Sequence, residues 1–199
     1  MWKLVPNILT FVRLGLTLVF LAMILYWPYL PDHPSWFLDV AFVLFVIAGL
    51  TDVVDGYVAR RWNATSKFGR MIDPLVDKVL VCGAFICFAI IGVPRLFAWG
   101  PTQLAIVHWV VVGILLAREV YVTVLRHLAE SRGVNFAAVR LGKIKMFVQV
   151  FAIGTVLIKV AHVPAAWGHW FTLVVFGLMV VITIASGLQA ARRVRTPQS

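Results

Sequence analysis

Four aspartates stand in one short segment of an otherwise strongly apolar chain: Asp52, Asp55, Asp73 and Asp77. They are half of the eight acidic residues present, and the hydrophobic runs VAFVLFVIAGL and VLVCGAFICFAIIGV flank them. A charge at membrane depth costs roughly 2.5–3.5 kcal/mol on insertion scales, so such residues mark function by default. At about 100° per residue, Asp52, Asp55, Gly56 and Ala59 fall within roughly a third of a helical turn. Asp73 and Asp77, four apart, share a face of the next helix. Two helices joined by a polar turn thus aim four carboxylates at one point. Four unpaired anions repel, which leaves protonation or divalent cations as the escape. Oxygen ligands without His or Cys suit Mg²⁺, Mn²⁺ or Ca²⁺ rather than zinc. Gly56 and Ala59 leave the same face without bulk, so a large ligand fits against it.

The pattern Asp52-x-x-Asp55-Gly56-x-x-Ala59-Arg60, then eight residues, then Gly69-x-x-x-Asp73-x-x-x-Asp77 is similar, position for position, to the signature of the CDP-alcohol phosphotransferases, also called CDP-alcohol phosphatidyltransferases. These are membrane enzymes that make phospholipids from a CDP-linked donor. The resemblance implies that Asp52, Asp55 and Asp73 hold Mg²⁺ or Mn²⁺, two ions in all. Asp77 would share that shell or act as general base on the acceptor hydroxyl. Gly56, Ala59 and Gly69 would make room for the donor nucleotide beside Asp52, with Arg60 at its phosphates, and the protein would be a homodimer. Two such ions, about 3.5–4 Å apart, neutralise a pyrophosphate and stabilise attacking and leaving oxygens together. This chemistry is mostly positioning and charge stabilisation, with no covalent nucleophile.

The strings ARRWN and DPLVDKVLV, Arg118-Glu119, Arg126 and Gly142-Lys143-x-Lys145 resemble the bacterial phosphatidylglycerophosphate synthases within that family. The reaction implied is CDP-diacylglycerol plus sn-glycerol 3-phosphate giving phosphatidylglycerophosphate and CMP. An acceptor that is itself a phosphate needs cationic partners, and Arg118, Arg126, Lys143 and Lys145 are the candidates. Thr10 and Arg13, from the opening Asn7-x-x-Thr10-x-x-Arg13, join them; the plain alternative for Arg13 is an interfacial anchor, and for the other cations ordinary topological charge. Met146 departs from the hydroxyl residue expected after the second lysine. Within the same chemistry the alternatives are phosphatidylglycerol or an inositol phosphate as acceptor. A cation transporter is the alternative of another class, but all four aspartates lie toward one membrane face.

The elements that must position these groups are membrane helices. With 199 residues, 62% of them hydrophobic, and a mean hydropathy of +0.95, the chain reads as one all-α integral membrane domain, 1–199. Six runs near the bilayer-crossing length cover about Leu14–Leu30, Trp36–Tyr57, Pro74–Val93, Thr102–Tyr121, Leu141–Ala161 and His169–Ala190. The first is too long for a signal-peptide core and has no A-x-A site after it. Asp73-Pro74 reads as an N-cap followed by proline at the first helical position, after a polar loop from Arg61 to Arg70. Six spans put both termini on one side with every Lys and Arg except Arg95 and Lys159, which makes that side the cytosol; the resemblance to bacterial enzymes implies the inner membrane. The formal charge of +10 is therefore topological and does not indicate nucleic acid. Trp27, Trp36, Trp99, Trp167 and Trp170 gather at the opposite ends as an interfacial belt. The five histidines are scattered and assigned no catalysis; Cys82 and Cys87 are assigned neither disulfide nor metal.

Overall fold

The computed structural model describes residues 5–62, 67–97, 99–131 and 140–195, and the side chains of 10–51, 75–97, 99–129, 131 and 141–192. Six long helices fill them: α1 Val5–Tyr26, α2 Ser35–Trp62, α3 Lys67–Ile91, α4 Pro101–Ser131, α5 Arg140–His162 and α6 Ala166–Arg195. A 3-10 turn, Trp27–Tyr29, follows α1, and no strand occurs among the described residues. An apolar chain in lipid has no water to satisfy its backbone, and a helix pairs every interior N–H and C=O within the segment. Thr10–Tyr29, Pro101–Ala129, Leu141–His162 and Ala166–Arg192 are long and apolar enough to cross a membrane, and α2 contributes the shorter apolar stretch Ser35–Thr51. The protein is all-helical and membrane-bound.

Neighbour relations arrange the helices as a ring in the order α1, α2, α5, α6, α4, α3, closed by α3 against α1. A weaker contact of α3 with α5 spans its middle. Phe20 of α1 meets Phe45 of α2 with ring centroids 5.2 Å apart, and Phe85 of α3 meets Phe176 of α6 edge-on at 5.9 Å. Leu115, Ile153, Leu157 and Met179 are fully buried among them. Glycine lets α3 approach α1: a Cβ on Gly83 would stand 2.8 Å from Leu21 Cδ1. The outward faces carry Leu18, Val43, Ile106, Val120, Phe147 and Val181, all exposed. A bundle that is apolar outside as well as inside is one whose solvent is hydrocarbon.

Several helix bounds differ from the sequence reading. Arg61 and Trp62 continue α2, and Lys67 to Arg70 open α3, so both ends of the expected loop are helical; 63–66 lie outside the described residues. Asp73-Pro74 is not a helix start. It sits in the second turn of α3, where proline has no N–H to give the preceding turn; packing of the apolar helix along α1 overrides that local preference. At its other end α3 stops as expected of an αL cap: Gly92 has φ +68° and the Val93 N–H donates to the Phe88 carbonyl at 3.0 Å. Helix α4 continues to Ser131, which puts Arg126 on the helix itself.

The end opposite the aspartates is held by polar ties. Lys159 Nζ donates to the Arg95 carbonyl at 2.9 Å, the Phe97 N–H to His169 Nδ1 at 3.2 Å, and His162 Nε2 lies 2.7 Å from Asp39 Oδ1. Trp36, Trp99, Trp167 and Trp170 are exposed there, as a belt requires. Trp27 is the exception and packs against the core.

Candidate active site

Asp52 and Asp55 lie three apart in the last third of α2, and Asp73 and Asp77 four apart in the first half of α3. Helical backbone at both places keeps each pair on one face. The side chains of Asp52, Asp55, Gly56, Ala59, Arg60, Gly69 and Asp73 lie outside the described residues. Asp77 is described, half-buried, with Oδ1 3.4 Å from Nη2 of Arg13, whose own side chain is 1% exposed. Arg13 is therefore no interfacial anchor. It reaches from α1 into the bundle and sets a guanidinium beside the last of the four aspartates. Thr10, one turn earlier, is buried too. Among the described residues no three potential metal ligands cluster; the four aspartates together would offer hard, oxygen-only donors, the kind that suit Mg²⁺ or Mn²⁺ over softer metals.

Asp77 also borders a cavity of about 260 Å³ between α3, α4, α5 and α6. Its wall carries Lys78, Arg118, Arg126, Lys143 and Lys145, five cations against the two carboxylates of Asp77 and Glu119. The fold thus brings together all four cations singled out in the second half of the chain, from two helices that the ring order separates by α6. Thr10 and Arg13 are not in this wall. The volume lies just below the range of drug-sized pockets, about 300–1,000 Å³, and suits a small polar molecule.

The cations are of two kinds. Lys145, buried, and Arg118, mostly buried, are held by Glu119: Lys145 Nζ donates to Glu119 Oε1, and Arg118 Nη1 donates to the same oxygen at 3.1 Å. Arg118 Nε also donates to Ser186 Oγ of α6 at 3.0 Å, and Ser186 Oγ donates to the Thr183 carbonyl at 2.8 Å. Lys78 is tied across to α4, its Nζ donating to Thr123 Oγ1 at 2.6 Å. Arg126 and Lys143 are exposed at the cavity rim. Buried cations with fixed partners keep their geometry, while exposed ones swing on flexible stems to follow a ligand.

Glu119 is the site residue that the sequence reading passed over. It was noticed only as the neighbour of Arg118, and its ion pair with Lys145 spans 26 positions and two helices. Gln149, 1% exposed in the cavity wall, was read as part of an apolar span. Cys82 lines the cavity as a free thiol, and Cys87, also free, donates weakly to the Leu21 carbonyl at 3.9 Å.

Known proteins share this arrangement of sequence. The family profile described as CDP-alcohol phosphatidyltransferase matches residues 3–186. The CDP-diacylglycerol–glycerol-3-phosphate 3-phosphatidyltransferase of Salmonella choleraesuis is 32% identical over 187 residues, 93% of this chain and 91% of that protein. A Mycobacterium tuberculosis protein named as a probable phosphatidylglycerophosphate synthase is 34% identical over 190 residues, 94% of this chain and 79% of its own. The Shigella flexneri protein that bears the same name as the Salmonella one is 30% identical, with 93% and 91% covered. A profile match over almost the whole chain, with relatives at 30–34% identity along most of their length, makes the chain a member of the CDP-alcohol phosphatidyltransferase family.

Proposed function

We propose that the protein transfers a phosphatidyl group from CDP-diacylglycerol to sn-glycerol 3-phosphate, giving phosphatidylglycerophosphate and CMP. The observation that carries this reading is the cationic cavity bordered by Asp77, whose five cations suit a second anion. The names of the relatives point to the same two substrates. A single membrane domain, 1–199, does the work, as a homodimer in the inner membrane with its site toward the cytosol, where a soluble sugar phosphate is available.

The carboxylates of Asp52, Asp55, Asp73 and Asp77 would hold divalent cations. When bound, such ions supply positive charge to the pyrophosphate and to the departing phosphate. Gly56, Ala59 and Gly69 leave space for the nucleotide, and Arg60 meets its phosphates. Arg126 and Lys143 capture the acceptor phosphate at the rim, and Arg118 and Lys145 fix it inside. The acceptor's primary hydroxyl oxygen then bonds to the diacylglycerol-bearing phosphorus. The bond from that phosphorus to the bridging oxygen breaks, CMP leaves with the electron pair, and Asp77 takes the hydroxyl proton. Arg13 holds Asp77 in its rotamer for that role.

Purified protein given CDP-diacylglycerol should release CMP only when glycerol 3-phosphate is added. Chelator should stop the release and Mg²⁺ or Mn²⁺ restore it, and Asp52→Asn and Asp73→Asn should be folded but silent. Release that depends on another alcohol would overturn the acceptor assignment. Turnover indifferent to chelator would overturn the metal role, and ion flux without CMP release would point to transport.

A further inference from the structure

Gln149 Nε2 is buried and has no hydrogen-bond partner among the described residues. The side chain that carries it is 1% exposed and lies in the wall of the cationic cavity. Buried amide donors in folded proteins are paired nearly always, so an unpaired amide on a side chain that lines a cavity calls for a partner, and a ligand oxygen in that cavity is within reach of a small turn of the side chain. We infer that Gln149 is a specificity-determining residue: its amide donates to the hydroxyl of the acceptor that does not react, the one on the middle carbon of glycerol 3-phosphate. The inference rests on the reaction proposed above and names how one part of its substrate is read.

Apart from the free Cys82 thiol, which is only a weak donor, the other polar groups of the wall are already engaged or wrongly charged for this task. Ser186 Oγ gives its proton to the Thr183 carbonyl and accepts from Arg118. Glu119 Oε1 is filled by Lys145 and Arg118. The cations match phosphate oxygens, which carry charge, and a neutral hydroxyl oxygen is matched best by a neutral donor. Gln149 is the neutral donor with an unclaimed N–H in this wall. It stands one turn along α5 from Lys145, about 6 Å away along the axis, so the two flexible side chains can converge on a phosphate and on the hydroxyl of the carbon next to the phosphate-bearing one. A site that offers a buried donor rejects a ligand lacking the matching oxygen, because the donor then stays unpaired.

The test compares glycerol 3-phosphate with propane-1,3-diol phosphate, which keeps the attacking hydroxyl and the phosphate but lacks the middle hydroxyl. Wild type should favour glycerol 3-phosphate by at least about tenfold in kcat/KM. Gln149→Met, of similar length and apolar, should bring that ratio to near one, using glycerol 3-phosphate less well and propanediol phosphate better, since no buried donor is then left unpaired by it. Its melting temperature without acceptor should be equal to or above that of wild type, since an unpaired buried amide is replaced by an apolar group of like shape. An unchanged ratio overturns the inference and assigns the amide to a bound water, leaving the proposed reaction standing. A Gln149→Met protein that fails to fold also overturns it, because the amide would then be structural. If wild type uses neither phosphate but releases CMP to another alcohol, the proposed reaction itself falls.

Discussion

Two lysines separated by one residue, Lys143 and Lys145, have opposite surroundings, and this decides what each contributes. Lys145 is 6% exposed and shares Glu119 with Arg118. Removing one member of a buried ion pair leaves the other charge uncompensated, at a cost of about 3–5 kcal/mol. Glu119→Ala should therefore lower the melting temperature strongly in detergent. Lys143 is exposed at the rim, where substitutions shift stability by no more than about 0.5 kcal/mol. A charge-assisted contact with a ligand is worth about 1.5–3 kcal/mol, so Lys143→Ala should raise KM for glycerol 3-phosphate roughly 10- to 150-fold, with KM for CDP-diacylglycerol and the melting temperature unchanged. Equal behaviour of the two variants in both assays would refute this division. The half-exposed pair Asp39–His162 contributes at most about 1 kcal/mol by comparison. The sequence made the aspartates and the four cations legible because charges stand out against an apolar background. Glu119 and Gln149 stayed hidden because their meaning depends on partners, or the lack of them, across helices.

At the scale of elements, α1 and α3 form a tight seam. Gly83 meets Leu21 there with no room for a Cβ, and Arg13 meets Asp77 at the same seam, on the side of the aspartates. Overpacking a core costs typically about 1–3 kcal/mol. Gly83→Leu should therefore destabilise the bundle by that amount and, by wedging α1 away, lower turnover although it touches no substrate. Gly83→Ala is the mild control, since the Leu21 side chain can turn aside. Retained activity in Gly83→Leu would mean that the Arg13–Asp77 contact does not depend on this spacing. Six helices were legible from hydrophobic run length, yet their ends were not. The Asp73-Pro74 pair carried the local chemistry of a helix start, and the helix begins six residues earlier because tertiary packing outweighs that preference.

At the scale of the whole molecule, the helix ring separates a polar end, with Asp77 and the cavity, from an end closed by Lys159, His162 and His169. Charge asymmetry is the ground for the proposal that the first end faces the cytosol. With Cys82 and Cys87 replaced, single cysteines at Lys67 and Arg132 should react with an impermeant reagent from the cytosolic face, and those at His33 and His162 from the other. Labelling of positions 67 and 33 from the same side would refute the six-span order. The ring also has a temporal side. Arg13 and Asp77 both belong to the first three helices, so a chain still being synthesised brings this carboxylate to its cation before α4 exists. Glu119 has Arg118 beside it from the start and receives Lys145 only when α5 arrives. The order of synthesis thus hands each of these acids a counter-charge early, and the nascent half-molecule need not keep either of them waiting alone in the lipid.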